Sequence, residues 1–145
     1  MFIKQISVFL ENKPGTLREL TNVLGDGQID IRELSVADTQ SFGIVRMLVR
    51  SDRMDAAMTL LKKSGYTARL NSVICAEIED KPNALSGLLG IIEGEGLSVE
   101  YIYSCRRTPE GNALMVLRLS EMDRGQEVLI RHGITLHTQE EIDKY

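Results

Sequence analysis

The chain has 145 residues, which leaves room for one ordinary domain or two small ones and no third. Apolar residues make up 43% and charged residues 26%, the balance of a water-soluble globular core and not of a disordered, collagenous or membrane chain. A net charge of -4, with 5% aromatic residues and no Trp, argues against nucleic-acid binding, which draws on clustered Lys and Arg and on aromatic stacking platforms.

The N-terminal stretch MFIKQISVFLEN alternates instead of running apolar. No segment approaches the ~18 apolar residues of a membrane span, so neither secretion nor membrane insertion is expected and the cytoplasm is the expected location. Residues 3–10, with Ile6, Val8 and Leu10 on one face, predict a half-buried strand. Pro14 stands at the entrance to a helix, where its missing N–H costs nothing, and Leu17, Leu20, Val23 and Leu24 recur at helical spacing up to Gly25 and Gly27. A strand over 28–37, a turn over 38–43 and a hairpin partner over 44–50 follow. Met58, Leu60 and Leu61 mark a second helix ending near Gly65, and Tyr66–Leu70 reads as a short strand.

Sliding the sequence on itself by 68 positions, without a gap, repeats this pattern. Ile6 falls on Ile74, Glu11 on Glu79, Pro14 on Pro82, Leu17 on Leu85, Gly43 on Gly111, Met47 on Met115, Arg50 on Arg118, Leu61 on Leu129 and Gly65 on Gly133. The second copy therefore predicts strands over 73–79, 97–106 and 112–119, with a helix carrying Leu85, Leu88, Ile91 and Ile92. Two copies of a βαββαβ unit, residues 1–70 and 71–145, give an α+β fold. Each is a ferredoxin-like four-stranded antiparallel sheet, in order 4-1-3-2, with two helices on one face. Only Asn71 and Ser72 separate the copies, so one rigid unit is expected. Residues 138–144 predict a closing turn or short helix, with Thr138 and Glu141 spaced as a capping box.

Catalytic and metal-binding patterns are scarce. Cys75 and Cys105 stand in no CxxC or Cys/His spacing and read as reduced packing thiols. His132 and His137 read as surface or rim histidines, and Glu93, Glu95, Glu140 and Glu141 as solvated faces. Arg106-Arg107 is the one candidate anion clamp, as an acylphosphatase-like reading of the topology requires. No enzyme activity and no cofactor or metal is expected. Residues 1–70 carry 10 basic and 8 acidic side chains and the remainder 7 and 13, a polarity that favours docking of the halves or head-to-tail contacts. Phe9, Ile44, Leu48, Leu114 and Val116 fall on the sheet faces away from the helices and call for cover, which together with the edge strands predicts a homodimer.

The two strand-to-helix loops, Glu11-Asn12-Lys13-Pro14-Gly15-Thr16-Leu17 and Glu79-Asp80-Lys81-Pro82-Asn83-Ala84-Leu85, are the informative segments. Each feeds a helix N-terminus, whose free N–H groups and partial positive charge suit a carboxylate. Gly15 leaves room for close approach. The same segments also read as plain turns in which Asn12 or Asp80 caps the helix.

ENKPGTLREL, GQIDIRELSV and GIVRMLV, followed by EDKPNALSGL, GLSVEYIYS and NALMVLRL, resemble the ACT family of small-molecule-sensing domains over nearly the whole chain, as a tandem pair. The resemblance implies a non-catalytic domain that binds an amino acid between two copies, where the loop of one faces the start of the second strand of the other. Carried over by residue, it implies a ligand site of Asn12, Pro14, Gly15, Thr16, Leu17, Asp30 and Ile31, and of Asp80, Pro82, Asn83, Ala84, Leu85, Ser98 and Val99. The family's serine-sensing dehydrogenases have Asn at the loop and strand positions and a histidine two residues before the loop Asn. Leu10 and Ile78 replace that histidine here, and Asp30 and Ser98 replace the strand Asn, which favours a branched or aromatic amino acid. The implied role is regulation of an enzyme of amino-acid metabolism through protein contact; a structural interaction module without ligand is the alternative.

Overall fold

The computed structural model describes residues 1–145. The chain forms two compact units, Lys4–Asn71 and Met1–Ile3 with Ser72–Tyr145. Its elements are β1 (Ile3–Glu11), α1 (Thr16–Asp26), β2 (Glu33–Asp38), β3 (Phe42–Leu48), a short 3-10 turn (Ser51–Arg53), α2 (Met54–Lys63), β4 (Thr67–Ile78), α3 (Ala84–Gly94), β5 (Val99–Arg107), β6 (Ala113–Leu119), α4 (Met122–Arg131) and α5 (Gln139–Lys144). The fold is the α+β arrangement of two βαββαβ repeats.

In the first unit the strand order is β2-β3-β1-β4, which is 4-1-3-2 with β2 at the edge. Ile6, Val8 and Leu10 of β1 and Val45 and Met47 of β3 turn one face toward Leu20 and Leu24 of α1 and Ala57, Met58 and Leu61 of α2. Both helices therefore cover the same face. Each such fully buried aliphatic side chain stabilises by about 1.5–3 kcal/mol. The second unit repeats the core with Ile74, Ala76, Leu117 and Leu119 against Leu88 and Ile92 of α3 and Val128 and Leu129 of α4.

Three sequence expectations change. The short strand at 66–70 and the strand at 73–79 are one continuous β4, Thr67–Ile78, because no Gly or Pro interrupts the chain through Asn71 and Ser72. The last strand of the second copy shrinks to a bridge, Ala76 with Leu136, flanked by bonds from Glu77 N to Thr135 O and His137 N to Cys75 O, both 2.9 Å. The gapless offset also fails in one segment. Ile6 pairs Met47 and Leu34 pairs Met47, whereas Ile74 and Ile102 both pair Leu117. Met47 therefore corresponds to Leu117, and Gly43, facing Leu10, to Ala113, facing Ile78. Gly111 lies instead in the turn after β5, with φ 93. The second hairpin is two residues longer, and the β6–α4 connection is correspondingly short, lacking the 3-10 turn that precedes α2.

The faces away from the helices are better covered than alternation suggests: Leu48, Leu114 and Val116 are buried, while Phe9 is 42% exposed. On edge strand β2, Leu34 and Val36 are also exposed. No helix is long and apolar enough to cross a membrane.

Candidate functional site

Each loop reaches its helix through a residue in the left-handed region, Gly15 at φ 88 and Asn83 at φ 70. Lys13 N and Lys81 N donate to Glu11 O and Glu79 O at 2.9 and 3.0 Å, and Thr16 N and Ala84 N each donate to a lysine carbonyl at 3.3 Å. Pro14 and Pro82 precede the helices within these turns. The Thr16 hydroxyl adds bonds to Glu11 O and Lys13 O at 2.9 and 3.0 Å, which Ala84 has no hydroxyl to make.

Neither helix has a side-chain cap. The capping role expected of Asn12 or Asp80 is thus corrected: the left-handed turn carries the chain into the helix without bringing either side chain to its N-terminus. Asp80 pairs instead with Arg107 at 2.6 Å, and Asn12 N donates to Ser41 O at 3.2 Å. The first-turn amides of Leu17 and Arg18, and of Leu85 and Ser86, meet no intrahelical carbonyl and can receive an anion. Beside the first loop, Lys13 stands 2.6 Å from Glu11 and holds its carboxyl below the usual range; Lys81 pairs Glu79 in the second loop.

Asp30 and Ile31 lie beyond the other end of α1, just before β2, whose observed start is Glu33 and not 28. Ser98 precedes β5 and Val99 opens it. An 11-residue helix spans about 16 Å. A single unit therefore does not bring its loop to the start of its own second strand.

Each unit does hold a groove at the loop. Glu77, Ile78, Glu79, Lys81, Ala84, Gly87, Leu88, Ile91, Asn112, Gly133, Ile134 and Thr135 line one of about 460 Å³. Leu10, Glu11, Thr16, Glu19, Tyr66 and Thr67 help line its counterpart of about 270 Å³. Glu19 in place of Gly87 and Tyr66 in place of Ile134 account for the smaller volume. The larger groove falls within the usual range for small-molecule sites, as does a further pocket of about 350 Å³ at the first loop, lined by Glu11, Asn12, Lys13, Gln40, Ser41 and Phe42.

Sequence reasoning missed a polar cluster built on Glu77 and Asn112, which also line the larger groove. His137 is 5% exposed, a correction of the rim reading, because its place beside β4 puts it under α5. Its Nε2 is 2.6 Å from Glu77 Oε2, and Asn112 Nδ2 donates to Glu77 Oε1 at 2.6 Å. These bonds hold the Glu77 carboxyl below the usual range, the Asn112 contribution being the larger. His132 is exposed, 3.2 Å from Glu95, which Arg131 also pairs at 2.6 Å. The capping box expected at Thr138 and Glu141 is present and opens the helix that follows His137 directly.

Arg106 and Arg107 do not form an anion clamp. Arg106 Nη1 donates to Tyr145 O at 2.7 Å, and Arg107 is engaged by Asp80. No group of three or more His, Cys, Asp or Glu side chains is arranged to hold a metal ion.

A family model described as an ACT domain pair matches residues 1–145. The solved structure of protein BT0572 from Bacteroides thetaiotaomicron is 34% identical, with a TM-score of 0.87, over 100% of this chain and 98% of that one. The regulatory subunits of aspartate kinase from Thermus thermophilus, in ligand-free form, and from Thermus flavus are 14% and 15% identical, with TM-scores of 0.61 and 0.63. Each alignment covers 88% of this chain, and 91% and 88% of the respective subunit. At that identity the likeness is one of fold. No curated protein matches the sequence.

Proposed function

The chain belongs to the ACT domain pair family, and we propose that it is a non-catalytic sensor that binds a small amino acid and regulates an enzyme of amino-acid metabolism through protein contact. The observation that carries this reading is the pair of uncapped helix N-termini entered through Gly15 and Asn83. They offer a ligand carboxylate unpaired amides in both units. In this reading Asn12, Pro14, Gly15, Thr16 and Leu17, and Asp80, Pro82, Asn83, Ala84 and Leu85, form the loop halves of the sites.

The second halves, Asp30 with Ile31 and Ser98 with Val99, come from another copy of the domain, since the helix length keeps them from the loop of their own unit. Asp30 is suited to a ligand ammonium. Leu10 and Ile78, two residues before the loop polar groups, favour a branched or aromatic side chain. The edge strands β2 and β5, with Leu34 and Val36 exposed on β2, support a homodimer. A cytoplasmic setting, in which Cys75 and Cys105 stay reduced, is part of the proposal. The two Thermus proteins are regulatory subunits of aspartate kinase, making that class of enzyme a reasonable first partner to test.

Calorimetric titration with the twenty amino acids tests the proposal. One or more should bind, and a hundredfold excess over Kd should stabilise the fold by about 2.7 kcal/mol. Absence of binding at millimolar concentration would leave the structural interaction module as the reading.

A further inference from the structure

α5 is an element of the second unit with no counterpart in the first. Its location follows from strand alternation. Ile74 and Ala76 face α3 and α4, so Cys75 and Glu77 face the other way, toward the side on which His137 bonds Glu77 and leads into α5. Cys75 is fully buried; burial acts most strongly on its thiol, followed by Cys105, then Glu77, then Glu141 of α5.

The contacts that seat α5 fall into two sets. His137 itself is fixed to the sheet: its N–H bonds Cys75 O at 2.9 Å, and its Nε2 bonds Glu77, which Asn112 holds from the hairpin. The Glu77 carboxylate accepts from Nε2, and Nδ1 lies 3.3 Å from the Tyr145 hydroxyl and 3.9 Å from Glu141 Oε2. The two rings also meet edge to face, 5.6 Å apart. Arg106 grips the Tyr145 carbonyl at 2.7 Å, and Ile142 is the one buried side chain of α5.

A six-residue helix is far below the length that is stable alone. One buried apolar side chain with the polar contacts around it is a small seat beside the core of the unit. Segments held so lightly open at a fraction of the global unfolding free energy.

We propose that α5 is a strap that opens and closes over the Cys75 side of the second unit's sheet, with His137 as its fixed post and Tyr145 as its fastening. Opening exposes the Cys75 thiol while α3, α4 and the sheet stay folded. Burial pushes that thiol far up in the closed form, so the covered sulfur stays protonated and inert, which makes alkylation a clean reporter.

The test uses the full chain with Cys105→Ser, leaving Cys75 as the one thiol, and follows iodoacetamide alkylation together with hydrogen exchange of residues 139–144. Alkylation should proceed under native conditions with little dependence on low urea. Tyr145→Phe should speed it several-fold, and His137→Gln should speed it at least tenfold, with Tm nearly unchanged in the first. Tyr145→Phe is mild enough to keep the result readable if His137→Gln does not fold. Alkylation that tracks global unfolding in its urea dependence, or that Tyr145→Phe leaves unaltered, would show that α5 is a permanent part of the core.

Discussion

Gly15 and Asn83 hold the same left-handed backbone conformation, φ 88 and φ 70, at equivalent points of two loops 68 positions apart. Glycine adopts this conformation without steric cost and asparagine at a small one. Asn83→Gly should therefore raise stability slightly, by a few tenths of a kcal/mol to about 1 kcal/mol in urea denaturation, whereas Asn83→Val should lower it. Gly15→Val should do both kinds of damage, straining the turn and obstructing the amides proposed to receive a carboxylate. Its effect on titration should exceed its effect on Tm.

If Asp30 holds a ligand ammonium, Asp30→Ala should weaken one class of site by about 1.5–3 kcal/mol and leave the other nearly intact. Ser98→Ala should have a smaller effect on the second class. Calorimetry on both variants decides it; equal losses, or none, would place the ligand elsewhere.

The Glu77 carboxyl, held below its ordinary value by Asn112 and His137, contributes stability that is complete above the unfolded value near 4.5. That contribution is lost as pH falls through the lower folded value. Urea midpoints measured downward from pH 6 should fall below pH 4.5 more steeply for the native chain than for Glu77→Gln. Parallel curves would show that the contacts do not discriminate the charged form.

Gly90 and Gly125 both lie inside helices, yet replacing them should have opposite effects. A Cβ at Gly90 meets nothing within 4 Å, so Gly90→Ala should stabilise α3 by about 0.5–1 kcal/mol. A Cβ at Gly125 comes 2.4 Å from Leu119 Cδ1, and Gly125→Val should cost about 1–3 kcal/mol by overpacking. Thermal melts of the two variants give the signs directly.

Alternation and helical spacing made the core of both units legible, because Ile6, Leu20, Leu61 and their partners in the second copy carry the pattern wherever they pack. The position of the loops was legible from Pro14 and Pro82 at the helix entrances, but not their geometry, since a left-handed Gly15 or Asn83 takes the place expected of an Asn12 or Asp80 cap. His137 was not: the capping box announced the short helix after it, but its bond to Glu77 lies 60 positions back along the chain. The start of β2 was missed: Gln28 turns to φ 58 and the strand begins only at Glu33, whereas in the second copy β5 begins at Val99, three residues after Gly96 at φ 70. Glu77 and Asn112 lie 35 positions apart, and their bond depends on a hairpin length that the repeat conceals.

That hairpin length has a parity. Side chains on a strand alternate between faces, so an insertion of one residue would have turned Leu117 and Met115 outward and brought Val116 into the core. An insertion of two slides the strand and returns every side chain to its original face. Taking two residues back before α4 then restores the phase of the helix, with Met122 standing to Met54 as Leu129 stands to Leu61. Duplicated strands are thus free to drift past their neighbours in even steps alone. A segment such as 107–121 could replace 39–53 without disturbing the helix after it, whereas a one-residue deletion within either would turn its strand inside out.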